Sequence, residues 1–141
     1  MQHASGTFQV SNMKDEPYRE LDNGGKLTRA TGDQAYAGDI GGTGDVQWLM
    51  SYRSDGTAHF VGIWRITGSV GGRSGAFVVE STGEFDGTAS AGSLSVVEGL
   101  GEGELEGIRG SGSFRAPGGA DATYELDYQV AEPARSRADT N

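Results

Sequence analysis

Cysteine is absent from the 141-residue chain. That removes a disulfide framework, a thiol nucleophile and any thiolate metal site. Histidine is nearly absent: His3 and His59 are the only two. A histidine-rich metal centre needs several imidazoles converging with a carboxylate, so no metal site of that kind is expected. Basic residues are in deficit, with 11 Lys and Arg against 20 Asp and Glu and a net charge of −9. Phosphate backbones and anionic headgroups both need a positive surface, so neither nucleic acid nor membrane is an expected partner. No run approaches the ~18 apolar residues of a membrane helix, and the first residues hold no apolar stretch of the signal-peptide kind. The expectation is a cytoplasmic protein that uses no cofactor. The sequence also lacks G-x-S-x-G, a P-loop and G-x-G-x-x-G, so no motif names a chemistry.

Glycine is what the chain has in excess, 25 residues against a usual share of ~7%. There is no G-X-Y period. The glycines sit inside and between short apolar runs, the composition of a closed or strongly bent sheet. Helical periodicity is missing and alternation dominates. Eight strands are expected: Gly6–Ser11, Lys26–Tyr36, Asp45–Arg53, Ala58–Thr67, Arg73–Gly83, Ala89–Val97, Glu104–Phe114 and Thr123–Val130. Asn12–Gly25 is polar, holds Pro17, and reads as a loop or a turn of helix. With short turns and no helices to cover a parallel sheet, the simplest closure is an all-β, eight-stranded antiparallel closed β-barrel; a two-sheet sandwich is the alternative. Residues 1–130 form one domain in this reading, and residues 131–141 a disordered polar tail.

Turn chemistry assigns the faces. Taking Asp55-Gly56 as a two-residue turn pairs Met50 with Val61, Trp48 with Ile63, and Leu49 with Gly62. Taking Gly71-Gly72 the same way pairs Trp64 with Val79 and Ile66 with Phe77, and an Asp86-Gly87 turn sets Leu94 and Val96 beside Val79 and Phe77. One face is then nearly pure hydrocarbon: Leu49, Phe60, Trp64, Ile66, Phe77, Val79, Leu94 and Val96. Together with Phe8, Val10, Tyr124 and Tyr128 it is expected to face the lumen. Trp48, Met50, Val61 and Ile63 would lie outside as a patch too large to leave wet, best covered by a second copy in a homodimer. A slip of one residue would exchange the two faces.

The stretches "FVGIWRITGSVGGRSGAFV" and "GEGEL", within a chain that continues to "YELDY", resemble an uncharacterised bacterial family of unknown function. Its known folds look like the allene oxide cyclase barrel, one of the calycin-like folds. The resemblance runs from Lys26 to Tyr128 and implies the same eight-stranded barrel. The family typically has an acidic residue where this chain has Trp64, and Gly-Ser-Gly-Thr-Gly-Glu-Leu where it has Gly99–Leu105. It supplies no agreed catalytic residues.

Each chemical reading has a plainer one beside it. Asp33, Asp39 and Asp45 could hold a hard cation or simply form a solvated rim. His59 reads as a surface residue opposite Tyr52. Arg65 and Glu80 read as an ion pair on the outer face. Glu104, at the barrel mouth in "GLGEGEL", would move protons if partly desolvated; otherwise it belongs to a turn. Tyr124 and Tyr128 point inward with hydroxyls that need partners, either a ligand's oxygen or each other and the backbone. Three functions follow. The first is a cofactor-independent isomerase or cyclase confining an apolar, polyketide- or oxylipin-like molecule. Leu49, Phe60, Trp64 and Phe77 would be the pocket wall, with Glu104, Tyr124 and Tyr128 the catalytic groups. The second is a non-catalytic carrier or sensor of a small ligand, and the third a structural or interaction protein with a filled lumen.

Overall fold

The computed structural model describes residues 1–118 and 121–131; most of the expected C-terminal tail lies outside the described residues. Alternation of buried and exposed positions runs along nearly every strand. The strands are β1 (Gln2–Glu20), β2 (Lys26–Gly38), β3 (Ile40–Tyr52), β4 (Ala58–Val70), β5 (Arg73–Phe85), β6 (Ser90–Val96), the short β7 (Glu102–Gly103), β8 (Ile108–Ala116) and β9 (Ala122–Val130). All pairings are antiparallel, in the order β4-β3-β2-β1-β9-β8-β6-β5, and β4 pairs with β5 to close the circle. The result is a closed eight-stranded barrel to which β7 adds two residues beside β5. Among the described residues there is no helix, and so none long and apolar enough to cross a membrane.

Closure leaves one inner face, and β4 shows how its sequence fills it. Ala58, Phe60, Trp64 and Ile66 are buried, while His59, Val61, Ile63 and Arg65 stand outside. Gly71 and Gly72, with φ of 58° and 84°, give the β4–β5 hairpin the paired left-handed residues of a type I′ turn. Val70 therefore faces Arg73 and Trp64 faces Val79, as the sequence predicts. The Asp86-Gly87 loop is longer than expected. Phe85 pairs with Ser90, and Asp86 Oδ1 accepts the N–H groups of Thr88 and Ala89. Val96 thus meets Val79 and Leu94 meets Ser81, a shift of two residues that keeps both side chains inside.

The β3–β4 hairpin corrects the sequence reading. Arg53 N–H donates to Thr57 O and Gly56 N–H to Arg53 O, so three residues turn rather than two, with Gly56 at φ 88°. Asp55 Oδ1 accepts both the N–H and the hydroxyl of Thr57, which fixes this loop. Met50 then pairs with Phe60, Leu49 with Val61 and Trp48 with Gly62. This one-residue slip exchanges the faces of β3. Leu49, expected in the lumen, is 49% exposed on the outside, whereas Trp48 and Met50, expected outside, pack against the core.

β1 is also longer than expected. Beyond Ser11 it continues against β2 as far as Glu20, through two register shifts, in place of the expected loop. Its pairing with β9 stops at Phe8. Gln9–Glu20 is therefore an arm with a partner on one side only. The expected strand Glu104–Phe114 is also redrawn: β8 starts at Ile108, and the β6–β8 connection folds in to bury Leu105 completely.

Candidate functional site

The barrel has two unlike ends. At one, the turns Gly38–Ile40 and Gly71-Gly72 meet the β6–β8 connection, and Ile40, Val70, Leu105 and Ile108 are buried together. Above them Tyr36, Ile66, Phe77, Val79, Leu94, Tyr124 and Leu126 leave a void of only about 10 Å³, room for one water at most. Phe77, expected as a pocket wall, is packed core here, 1% exposed.

The other end holds a cavity of about 200 Å³. Its walls are rings: Phe8 from β1, Trp48 and Tyr52 from β3, Phe60 and Trp64 from β4, and Phe114 from β8. Met50, Ala30 and Ala116 fill between them, and the β1 arm contributes Val10, Met13 and Asp15. The rings are steeply inclined to one another. Trp64 meets Trp48 at 84°, Phe8 at 64° and Phe114 at 61°, with centroids 6.2, 5.5 and 5.0 Å apart. Such edge-to-face contacts hold each ring in place while still enclosing space. Gly62 makes the site possible locally. A Cβ there would lie 2.5 Å from Trp48 Cδ1, so only glycine lets the indole lie across β4.

The arm is tied to the mouth by one polar contact. Tyr52 donates its hydroxyl proton to Asp15 Oδ2 at 2.9 Å. Partial burial, reinforced by that carboxylate, pushes the Tyr52 phenol up to about 12. Lys26 Nζ lies 5.3 Å from the centroid of the same ring.

The three residues expected to catalyse are not among the cavity's walls. Glu104 is exposed beside β7, and its Oε1 accepts the N–H of Ser74. Tyr124 is buried, but its hydroxyl accepts Ile40 N–H at 2.7 Å and donates to Ala37 O at 3.1 Å, bracing the β2–β3 turn. Burial raises its pKa. Tyr128 donates to Gln2 Oε1 at 3.0 Å. Of the four expected wall residues, Phe60 and Trp64 line the cavity, Phe77 lies deeper, and Leu49 is outside. The lumen also carries polar atoms that sequence reasoning overlooked. Tyr36 bonds Gln34 Oε1, while Gln34 Nε2, Thr28 Oγ1, Ser81 Oγ and Trp64 Nε1 are buried without a partner among the described residues.

The remaining polar expectations resolve on the surface. Arg65 pairs with Glu102 at 2.9 Å rather than with Glu80. His59 faces Ser51, not Tyr52, and bonds Glu84 Oε2 at 2.6 Å. Asp33 and Asp39 bond Asn12 Nδ2 and Ser5 N–H respectively. Among the described residues no three His, Asp or Glu side chains converge as metal ligands would.

Phe114 and the arm residues escaped the sequence reading for different reasons. Phe114 lies in a strand whose two preceding inward positions are Gly110 and Gly112, so its alternation has no apolar neighbour to announce it. Met13 and Asp15 sit in a stretch whose bulges break alternation altogether.

A solved structure from Shewanella oneidensis MR-1, described as a protein with unknown function from the DUF3224 family, is similar over the whole barrel. It is 28% identical, with a TM-score of 0.77, covering 95% of this chain and 99% of that one. Comparison with curated proteins finds no match. The family model described as "Protein of unknown function (DUF3224)" matches residues 4–128, and the chain belongs to that family.

Proposed function

We propose that this barrel binds one small molecule with an apolar body in the cavity at its mouth, and that it acts as a carrier or sensor. The observation that carries the reading is the contrast within one lumen: a packed lower half, and an upper half where six rings stand around about 200 Å³ of open space. A core under selection for stability alone closes such space, because each buried void lacks dispersion contacts. Volume also bears on the ligand. Pockets for drug-sized molecules run to about 300–1,000 Å³, so a single compact body fits better than an oxylipin or polyketide chain.

The isomerase or cyclase reading, and with it the functional side of the likeness to allene oxide cyclase, has less support. Its polar guides Glu104, Tyr124 and Tyr128 are engaged elsewhere. Tyr52, held up at about 12, keeps its proton near neutrality and serves Asp15 as a clamp. The filled-lumen reading accounts for the packed lower half but not for the open space at the mouth.

The test uses methionine. Of the three in the chain, Met13 and Met50 line the cavity and Met1 does not. With methionine methyls labelled by carbon-13, millimolar toluene should shift the Met13 and Met50 resonances and leave Met1 in place. Ala116→Phe, which fills the cavity, should abolish the response. Three unmoved resonances would end the binding reading. A homodimer is proposed on a revised surface: Leu49, Val61 and Ile63, rimmed by Arg29, Asp45 and Glu80, whose opposite charges can pair across a twofold axis. Sedimentation should give a dimer that Ile63→Lys disperses; a monomeric parent contradicts it.

A further inference from the structure

We propose that the ligand of the mouth cavity is a small organic cation, a methylated ammonium or an amine on a compact apolar body. This rests on the binding reading above and names its substrate class. Three observations converge. The walls are aromatic and mutually inclined, with Trp48 at 84° to Trp64 and Phe114 at 61° to Trp64. Trp48, Trp64 and Phe114 thus lie in different planes around one volume, the general arrangement of the aromatic cages that hold a quaternary ammonium.

Second, the charge on the lining has one sign. Among the described residues Asp15 is the only charged one in the walls, and no Lys, Arg or His lines the cavity. Only one Asp15 oxygen is taken by Tyr52, which leaves the other for a cation. The net charge of −9 steers cations toward the protein from a distance.

Third, a cation already lies on a ring at this rim. Lys26 Nζ stands 5.3 Å from the centre of Tyr52 without being part of the cavity lining. It is a positive group at the rim that opposes a cationic guest, so its removal should have a measurable influence. The size agrees as well, since a trimethylammonium head with a short substituent fits within about 200 Å³.

Choline and its neutral carbon isostere 3,3-dimethylbutan-1-ol have nearly the same shape and differ in charge, so the pair isolates the proposal. Calorimetric titration at low salt should give choline about a tenfold tighter dissociation constant, the scale of a desolvated cation–π contact. Trp48→Leu and Asp15→Asn should each shrink that ratio. Lys26→Met should strengthen choline while leaving the isostere unchanged, a readout that mere misfolding cannot mimic. If the isostere binds as tightly as choline, the cation assignment is overturned and the binding reading stands. If neither binds the folded parent protein at millimolar concentration, both are overturned.

Discussion

Trp64 touches three other rings and is 1% exposed, yet it is also a wall of the cavity. Packing and the proposed binding meet in this one side chain. Trp64→Ala should lose about 3–5 kcal/mol, because partial relaxation leaves a void beside Phe8 and Phe114; chemical denaturation with an unchanged m-value measures it. The acidic residue that the family resemblance leads one to expect at this position would face those rings and the unpartnered atoms around them, so Trp64→Glu should cost more than Trp64→Ala. Tyr52 gives a second test at this scale. Its phenol has an ordinary value of 10.0 and is raised to about 12 in the fold, first by burial and then by Asp15. The unfolded chain therefore releases this proton first as pH rises. Stability from the group is complete below pH 10 and is lost between about 10 and 12. Ultraviolet titration should show Tyr52 ionising late, as burial also makes Tyr36 and Tyr124 do, and Asp15→Asn should bring only the Tyr52 share partly back.

Elements differ in how openly the sequence states them. The β4–β5 hairpin was legible to the residue, because Gly71-Gly72 can supply two left-handed conformations and its strands alternate on both sides. The β3–β4 hairpin was not. Asp55-Gly56 fits a two-residue turn equally well on paper, and what decides for three residues is the grip of Asp55 on Thr57. That single residue moved Leu49 out and brought Trp48 and Met50 in, so the share of β3 in the cavity was hidden by one turn. The aspartates of the β3–β4 and β5–β6 loops carry a common prediction. Hydrogen bonds to Thr57 hold Asp55 below its usual range, and the N–H groups of Ala89 and Thr88 do the same for Asp86. Both contributions are present above an ordinary carboxylate pKa and fade as pH falls through the lowered values. Asp55→Ala should flatten part of the acid limb of a melting-temperature profile; an unaltered limb would mean the loop is held by other contacts. The arm of β1 shows a further element-scale device. Its unpaired edge carries Lys14, Asp15, Glu16, Pro17 and Arg19 and two register shifts, features that blunt pairing with another chain. The same features erase the alternation by which a strand is recognised.

At the scale of the molecule, the closed antiparallel barrel was legible because alternation, abundant glycine and the lack of any helical period agree with one another. The site was only partly so. The Gly71-Gly72 turn put Phe60 and Trp64 on the inner face, where they lie, while Trp48, Phe114 and Asp15 come together only through barrel closure and the long reach of β1. Two ends of one lumen thus have different tasks: Leu105 and Ile108 help seal the lower end as core, and the rings hold the upper end open. The most direct test of this division is an anomalous difference map from crystals soaked in bromobenzene, a rigid apolar probe whose bromine reports its own position. The predicted result is one bromine peak between Phe8, Trp48 and Phe114, with none among Ile66, Phe77 and Leu126. A peak confined to the outer groove of Leu49, Val61 and Ile63, or no peak in the mouth at all, would contradict it.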